Sequence, residues 1–364
     1  MSLQASQYTA SDEAVALARY HARGWTDGLP VVIPTPERVE EMLLCGGMDA
    51  DIVLGNIGPG NGDATVEKVA INAVMAGCLP EYFPVVLAAV KAVCDPDIDI
   101  GEVQQTTHGL GPAIIVNGPA IQACGPVASG WGALGPGHRA NASIGRALRL
   151  VLTNIGGAQP GLSDMAVLGQ AGKFSFCLAE AEEESPFPPI HTQSGFDRDQ
   201  STVTVVCVES PHSVVAVTDG DDPGAAERIL RVLAGSIANA GSNNSYFGRG
   251  AVLILLNPLH ASVLANAGMT REDVCLRLVE LATNPREMLN DLAPFNHLRQ
   301  SRDDDMVQAL RGPEDVVLVI AGGPGIYSAV CNSWGGGRTG GVAVTREIEL
   351  EFACEIPGLE PVSV

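Results

Sequence analysis

Four short runs of β-branched and aliphatic residues, each closed by small or polar residues and a proline, constrain this chain most. They are Ala113-Ile114-Ile115-Val116-Asn117-Gly118-Pro119, Val203-Thr204-Val205-Val206-Cys207-Val208-Glu209-Ser210-Pro211, Val252-Leu253-Ile254-Leu255-Leu256-Asn257-Pro258 and Val316-Val317-Leu318-Val319-Ile320-Ala321-Gly322-Gly323-Pro324. Such runs read as buried strands, since proline lacks the N–H that a ladder needs. Helical patterns ending in small-residue turns accompany them at Asn72–Cys78, Thr153–Ala158 and Ala238–Ser242. The expectation is a mixed α/β (α+β) fold of about three diverged, pseudo-symmetric helix–strand units plus a final strand. A helical and looped segment, 1–60, precedes a repeated body, 61–364. No linker divides the body, which reads as one multi-lobed domain. Equivalent loops of repeated units meet at one centre, where a site can form.

Composition narrows the partners. A net charge of −21 disfavours nucleic acid and anionic membrane, which both require a basic face. Aromatic residues are 4%, too few for stacking platforms. No apolar run reaches the length of a membrane span. The nine cysteines include no CxxC pair and fall mostly in apolar patterns. This suggests reduced thiols without disulfides, a cytoplasmic setting, and no metal or other cofactor.

Gly130-Trp131-Gly132-Ala133-Leu134-Gly135 spells GxGxxG before a helix. A dinucleotide site needs a strand immediately upstream, and 123–129 is not one. What remains is a helix start, with Gly135, Gly137, His138, Arg139 and Asn141, suited to a carboxylate or phosphate through backbone N–H groups, or simply a tight loop with Asn141 as a cap. Only three lysines are present, Lys68, Lys91 and Lys173. Lys173 lies in Gly172-Lys173-Phe174-Ser175-Phe176-Cys177, where alternation puts Lys173, Ser175 and Cys177 on one face. Glu180 and Glu183 belong to an acidic run beside His191, within a stretch, 159–200, too long for a casual connection. His108 follows a polar Gln-Gln-Thr-Thr loop. Ser242, Asn243 and Asn244 form a polar turn that either lines a site or is only a turn. His212 and His260 follow the prolines of two apolar runs.

Gly24-Trp25-Thr26-Asp27-Gly28-Leu29-Pro30, Val69 to Cys78, Arg139 to Gly157, Gly172 to Pro186 and Gly241 to Tyr246 resemble a large, poorly characterised bacterial family. The likeness covers most of the chain. Genes of that family often lie beside one for a small protein with a Cys- or selenocysteine-Gly-Ser-Cys motif, which implies thiol or selenol chemistry shared with a partner. The chain itself lacks the motif; Cys45-Gly46-Gly47-Met48 comes nearest. No activity or catalytic residue is carried over.

The expected function is an enzyme acting on a small polar, carboxylate-bearing molecule by acid–base lyase or hydrolase chemistry. Arg139, Asn141, Gly135, Gly137, Ser242, Asn243 and Asn244 would bind the substrate. Lys173, His138, Glu180, Glu183 or His108 would move protons. The alternative is an accessory subunit of a thiol- or selenol-dependent complex, as a homo-oligomer or heteromer. A pocket uniting Arg139, Lys173 and Asn243 favours the enzyme, and a broad exposed apolar patch favours the subunit.

Overall fold

The structure, a computed structural model, describes residues 3–217, 222–292 and 305–350. Its helices are α1 (Glu13–Ala22), α2 (Pro36–Leu44), α3 (Val66–Ala76), α4 (Phe83–Val93), α5 (Ile100–Gln105), α6 (Ala120–Ala123), α7 (Arg139–Asn154), α8 (Ala225–Ile237), α9 (Asn243–Phe247), α10 (Pro258–Asn266), α11 (Arg271–Leu281) and α12 (Arg286–Leu292). Its strands are β1 (Val53–Ile57), β2 (Gly62–Thr65), β3 (Gly111–Asn117), β4 (Cys177–Ala179), β5 (Thr202–Val208), β6 (His212–Val215), β7 (Val252–Leu256), β8 (Thr283–Pro285), β9 (Met306–Gln308), β10 (Val316–Ile320), β11 (Tyr327–Cys331) and β12 (Ala343–Glu347). The fold is mixed α and β. None of the described helices is long and apolar enough to cross a membrane.

The four apolar runs become β3, β5, β7 and β10, buried throughout. Two four-stranded sheets result, ordered β12-β5-β3-β4 and β6-β11-β7-β10. In the first, β12 and β5 are antiparallel, β5 and β3 antiparallel, and β3 and β4 parallel. In the second, β6 and β11, then β11 and β7, are antiparallel, and β7 and β10 parallel. Order and sense therefore match strand for strand. This correspondence pairs β3 with β7, β4 with β10 and β5 with β11, so it describes two halves where the sequence suggested about three units. Each edge strand, β6 or β12, follows directly on a strand of the other sheet.

Period-two alternation lets each strand serve two cores. Ala113 and Ile115 of β3 meet Leu253, Leu255, Val317 and Val319 of the second sheet, so the sheets pack face to face. Ile114 and Val116 point the other way, into a core shared with α2, α3, α4 and α7. Val252, Ile254 and Leu256 likewise face α8, α10 and α11. The result is four layers, helix–sheet–sheet–helix. Val39, Met42 and Leu43 of α2 belong to the same core as α3, so residues before 60 pack into the body.

Local chemistry sets the helix ends. Thr35 and Thr65 cap α2 and α3, Asn257 caps α10 ahead of Pro258, and Thr270 with Asp273 forms a capping box on α11. Gly145 lets α7 approach the chain before β4, where any side chain would collide with Ser175 and Phe176. Gly62 does the same against Ile155 at the other end of α7. The last described strand, β12, occupies Ala343–Glu347, and residues beyond 350 lie outside the described ones. Cys45 is disulfide-bonded, which corrects the expectation of a chain free of disulfides. Cys78, Cys94, Cys124, Cys177, Cys207, Cys275 and Cys331 are free thiols.

Candidate functional site

The residues expected to converge fall into separate places. Arg139 is exposed at the start of α7 and donates to the Gly77 carbonyl at 3.2 Å. Lys173 instead ion-pairs with Asp164 at 2.8 Å. Its carbonyl accepts from Arg149 Nε at 2.6 Å, and Arg149 lies ten residues from Arg139, about 15 Å along the helix. Burial lowers the Lys173 pKa, the Asp164 hydrogen bond opposing it and the nearby Arg149 charge adding to it. Lys173 is thus locked in a partly buried cluster and does not face a substrate beside Arg139.

Glu180 is wholly buried. Arg271 Nη2 donates to its Oε1 at 2.8 Å, and Asn117 Nδ2 and the Ile190 N–H donate to its Oε2 at 2.7 and 2.8 Å. Every oxygen is occupied, so Glu180 joins the end of β4 to α11 and opens onto none of the clefts described below. Glu183 is exposed. Asn141 braces the loop before α7: Oδ1 accepts from the Ala128 N–H at 2.8 Å, and Nδ2 donates to the carbonyls of Ala128 and Ala133 at 2.8 and 3.1 Å. Gly135 closes a turn on the Gly132 carbonyl, and Gly137 takes a positive φ of 110°. His138 Nε2 donates to the Trp131 carbonyl at 3.2 Å. Ser242 caps α9, and Asn244 bonds the Gly250 carbonyl and the Ser333 N–H. Both serve the local turn.

His108 and Asn243 do come together, with Glu209, which in the sequence is only the charged residue near the end of the second apolar run. His108 Nε2 lies 2.7 Å from Glu209 Oε1, and its Nδ1 lies 2.9 Å from Asn243 Nδ2. Asn243 Nδ2 also donates to the Trp334 carbonyl at 2.5 Å. A carbonyl only accepts, which orients the amide with its NH₂ towards the imidazole. His108 Nδ1 therefore accepts, and Nε2 carries the proton donated to Glu209. Glu209 Oε2 has no partner among the described residues.

Topology explains the meeting. His108 lies three residues before β3, Glu209 directly follows its antiparallel neighbour β5, and Trp334 lies three residues after β11, so all lie at one end of the paired sheets. The Glu209 N–H donates to the Asn332 carbonyl at 2.9 Å, tying the two sheets there. Two grooves, of about 410 and 560 Å³, share Thr107 and His108. Tyr246, Phe247 and Trp334 line one; Glu209, Ser210, His212, Val167 and Leu168 line the other. Among the described residues, neither is lined by lysine or arginine. Ser210 Oγ donates to Gln170 Oε1 at 2.5 Å, and Gln170 Nε2 donates to the Val208 carbonyl at 3.0 Å, fixing the groove floor.

Other candidates are packing groups. His260 is buried between the Ala216 carbonyl and Ser328 Oγ, and burial lowers its pKa although the carbonyl acts against it. Burial pushes the Cys78, Cys124 and Cys207 thiols up to about 12, and Cys177 and Cys331 higher still. None has the environment of a thiolate nucleophile. Among the described residues, no three His, Cys, Asp or Glu gather as metal ligands. The chain matches no protein-family model, no curated protein and no solved structure.

Proposed function

We propose that the protein is an acid–base enzyme, of the lyase or hydrolase kind, acting on a small polar molecule bound between the two grooves. One observation carries this reading: the Glu209–His108–Asn243 chain, set in a crevice, with Glu209 Oε2 left without a partner among the described residues. Glu209 is the proton acceptor, taking a proton from substrate or water on Oε2. His108 donates to Oε1 and fixes the carboxylate, while Asn243 fixes the tautomer of His108. Thr107, a neutral group shared by both grooves, is available for substrate hydrogen bonds, so the carboxylate expected of the substrate has no cation here. The seven free thiols among the described residues support a reducing, cytoplasmic setting, and the Cys45 disulfide argues the other way.

The test is a turnover screen of small esters, amides and hydroxy acids, read by mass spectrometry, with Glu209→Gln in parallel. Loss of a positioned general base lowers turnover by roughly 100-fold or more, and the variant should melt as the wild type does. Turnover surviving Glu209→Gln within a factor of about three, far short of that general-base effect, would refute the assignment.

A second reading, an accessory subunit for a thiol or selenol partner, has its own support. Leu162, Val167 and Leu168 stand exposed on the loop that walls one groove, Leu168 at 96%. Exposed apolar residues clustered on one loop suit protein contact.

A further inference from the structure

The first turn of α7 opens into a different cleft, of about 480 Å³. It lies beyond the opposite end of β3 from His108, a span of about 20 Å for seven residues. Four features meet there. His138 makes no side-chain cap on this 16-residue helix, so the first-turn N–H groups have no capping partner among the described residues. The exposed guanidinium of Arg139 donates to a single carbonyl, that of Gly77, and has no ion pair among the described residues. Tyr82 is only 4% exposed and lines the cleft, yet its hydroxyl has no hydrogen-bond partner among the described residues. Trp131 is 73% exposed, an unusual state for the largest side chain.

The two aromatic groups are held in place. A side chain at Gly125, where φ is +76°, would collide with the Tyr82 ring, and one at Gly323 would collide with the Trp131 indole. Loops thus press against one side of each ring. Burial pushes the Tyr82 phenol up, with Glu81 adding and Arg139 opposing, so it remains a hydroxyl donor at neutral pH.

We propose that this cleft binds a small planar carboxylate with an aromatic or conjugated body. The carboxylate accepts from Arg139, the Tyr82 hydroxyl and the first turn of α7, and the body stacks on Trp131. A guanidinium fork matches a carboxylate's two oxygens, and the helix N-terminus adds partial positive charge. A chain carrying −21 charges disfavours a dianion such as phosphate where one arginine is the cation.

Benzoate, titrated against the full chain by calorimetry, tests this. Saturable binding to one site is expected. Arg139→Met should weaken it about tenfold or more, the usual loss for a charge-assisted contact, with Arg139→Lys intermediate. Tyr82→Phe, which keeps the ring, should weaken it several-fold. Trp131→Ala should weaken benzoate and leave acetate unchanged. Glu209→Gln should have no effect, which separates this site from the acid–base crevice. The proposal is overturned if benzoate does not saturate, if Arg139→Met binds it as well as the wild type, or if acetate or inorganic phosphate binds as tightly.

Discussion

Replacing Glu180 by glutamine distinguishes a structural lock from a catalytic acid. The carboxylate accepts from three donors, Arg271 Nη2, Asn117 Nδ2 and the Ile190 N–H, at 2.7–2.8 Å. Its side chain is 0% exposed and that of Arg271 5%. Glutamine has the same shape but only one acceptor oxygen. Whichever way the amide turns, its NH₂ faces a donor, and the Arg271 charge is left buried without a counter-ion. Removing one partner of a buried pair costs about 3–5 kcal/mol, a large part of the roughly 5–15 kcal/mol that holds a typical domain together. Urea unfolding followed by circular dichroism reads this directly. The double variant Glu180→Leu with Arg271→Met should recover part of the loss, since it removes the stranded charge but leaves the Ile190 N–H without its acceptor. A Glu180→Gln protein within about 1 kcal/mol of wild type, below the cost of even one orphaned buried donor, would refute the lock. Loss of turnover at such unchanged stability would return Glu180 to the catalytic residues.

Burial raises the Asp27 pKa, but hydrogen bonds from Arg146 at 2.7 and 2.8 Å and its charge outweigh this and hold the carboxyl below its ordinary value. Its stabilising contribution is therefore full above about pH 4, the unfolded value, and fades as pH falls through the depressed folded one. Asp27→Asn should flatten the acid limb of the stability profile, and an unchanged acid limb would count against the pair. Cys94 and Cys275, pushed up to about 11, and Cys78, Cys124 and Cys207, at about 12, should resist iodoacetamide at pH 8 in the native protein and label in urea. Rapid native labelling of Cys177 or Cys331, checked by peptide mapping, would contradict the buried assignment.

The long strands were legible because β3, β5, β7 and β10 are buried on both faces and read as unbroken apolar runs. β4, β6 and β11 were not. β4 has three residues, β6 mixes His212 and Ser213 with valines, and β11 lies among the glycines of 322–341. Their strand state comes from the neighbours they pair with. The site was legible in pieces: His108 and Asn243 stood out as polar loop residues, but their contact spans 135 positions. Glu209 was hidden in plain view, a charged residue directly after a largely apolar strand. Arg139 and Lys173 stood out by residue type, yet α7 holds their neighbourhoods about three turns apart.

The exchange of edge strands gives the chain a timetable. The first sheet has three of its strands by residue 208, yet its edge is completed by β12, the last strand of the described chain, pairing Ala343 to Val206 and Glu347 to Thr202. At cellular synthesis rates the interval between β5 and β12 lasts roughly ten seconds or longer. Throughout it β5, rich in valine and threonine, presents an open row of N–H and C=O groups to whatever is nearby. A ribosome stalled before Ala343 would leave a nascent chain whose first sheet is one strand short of complete.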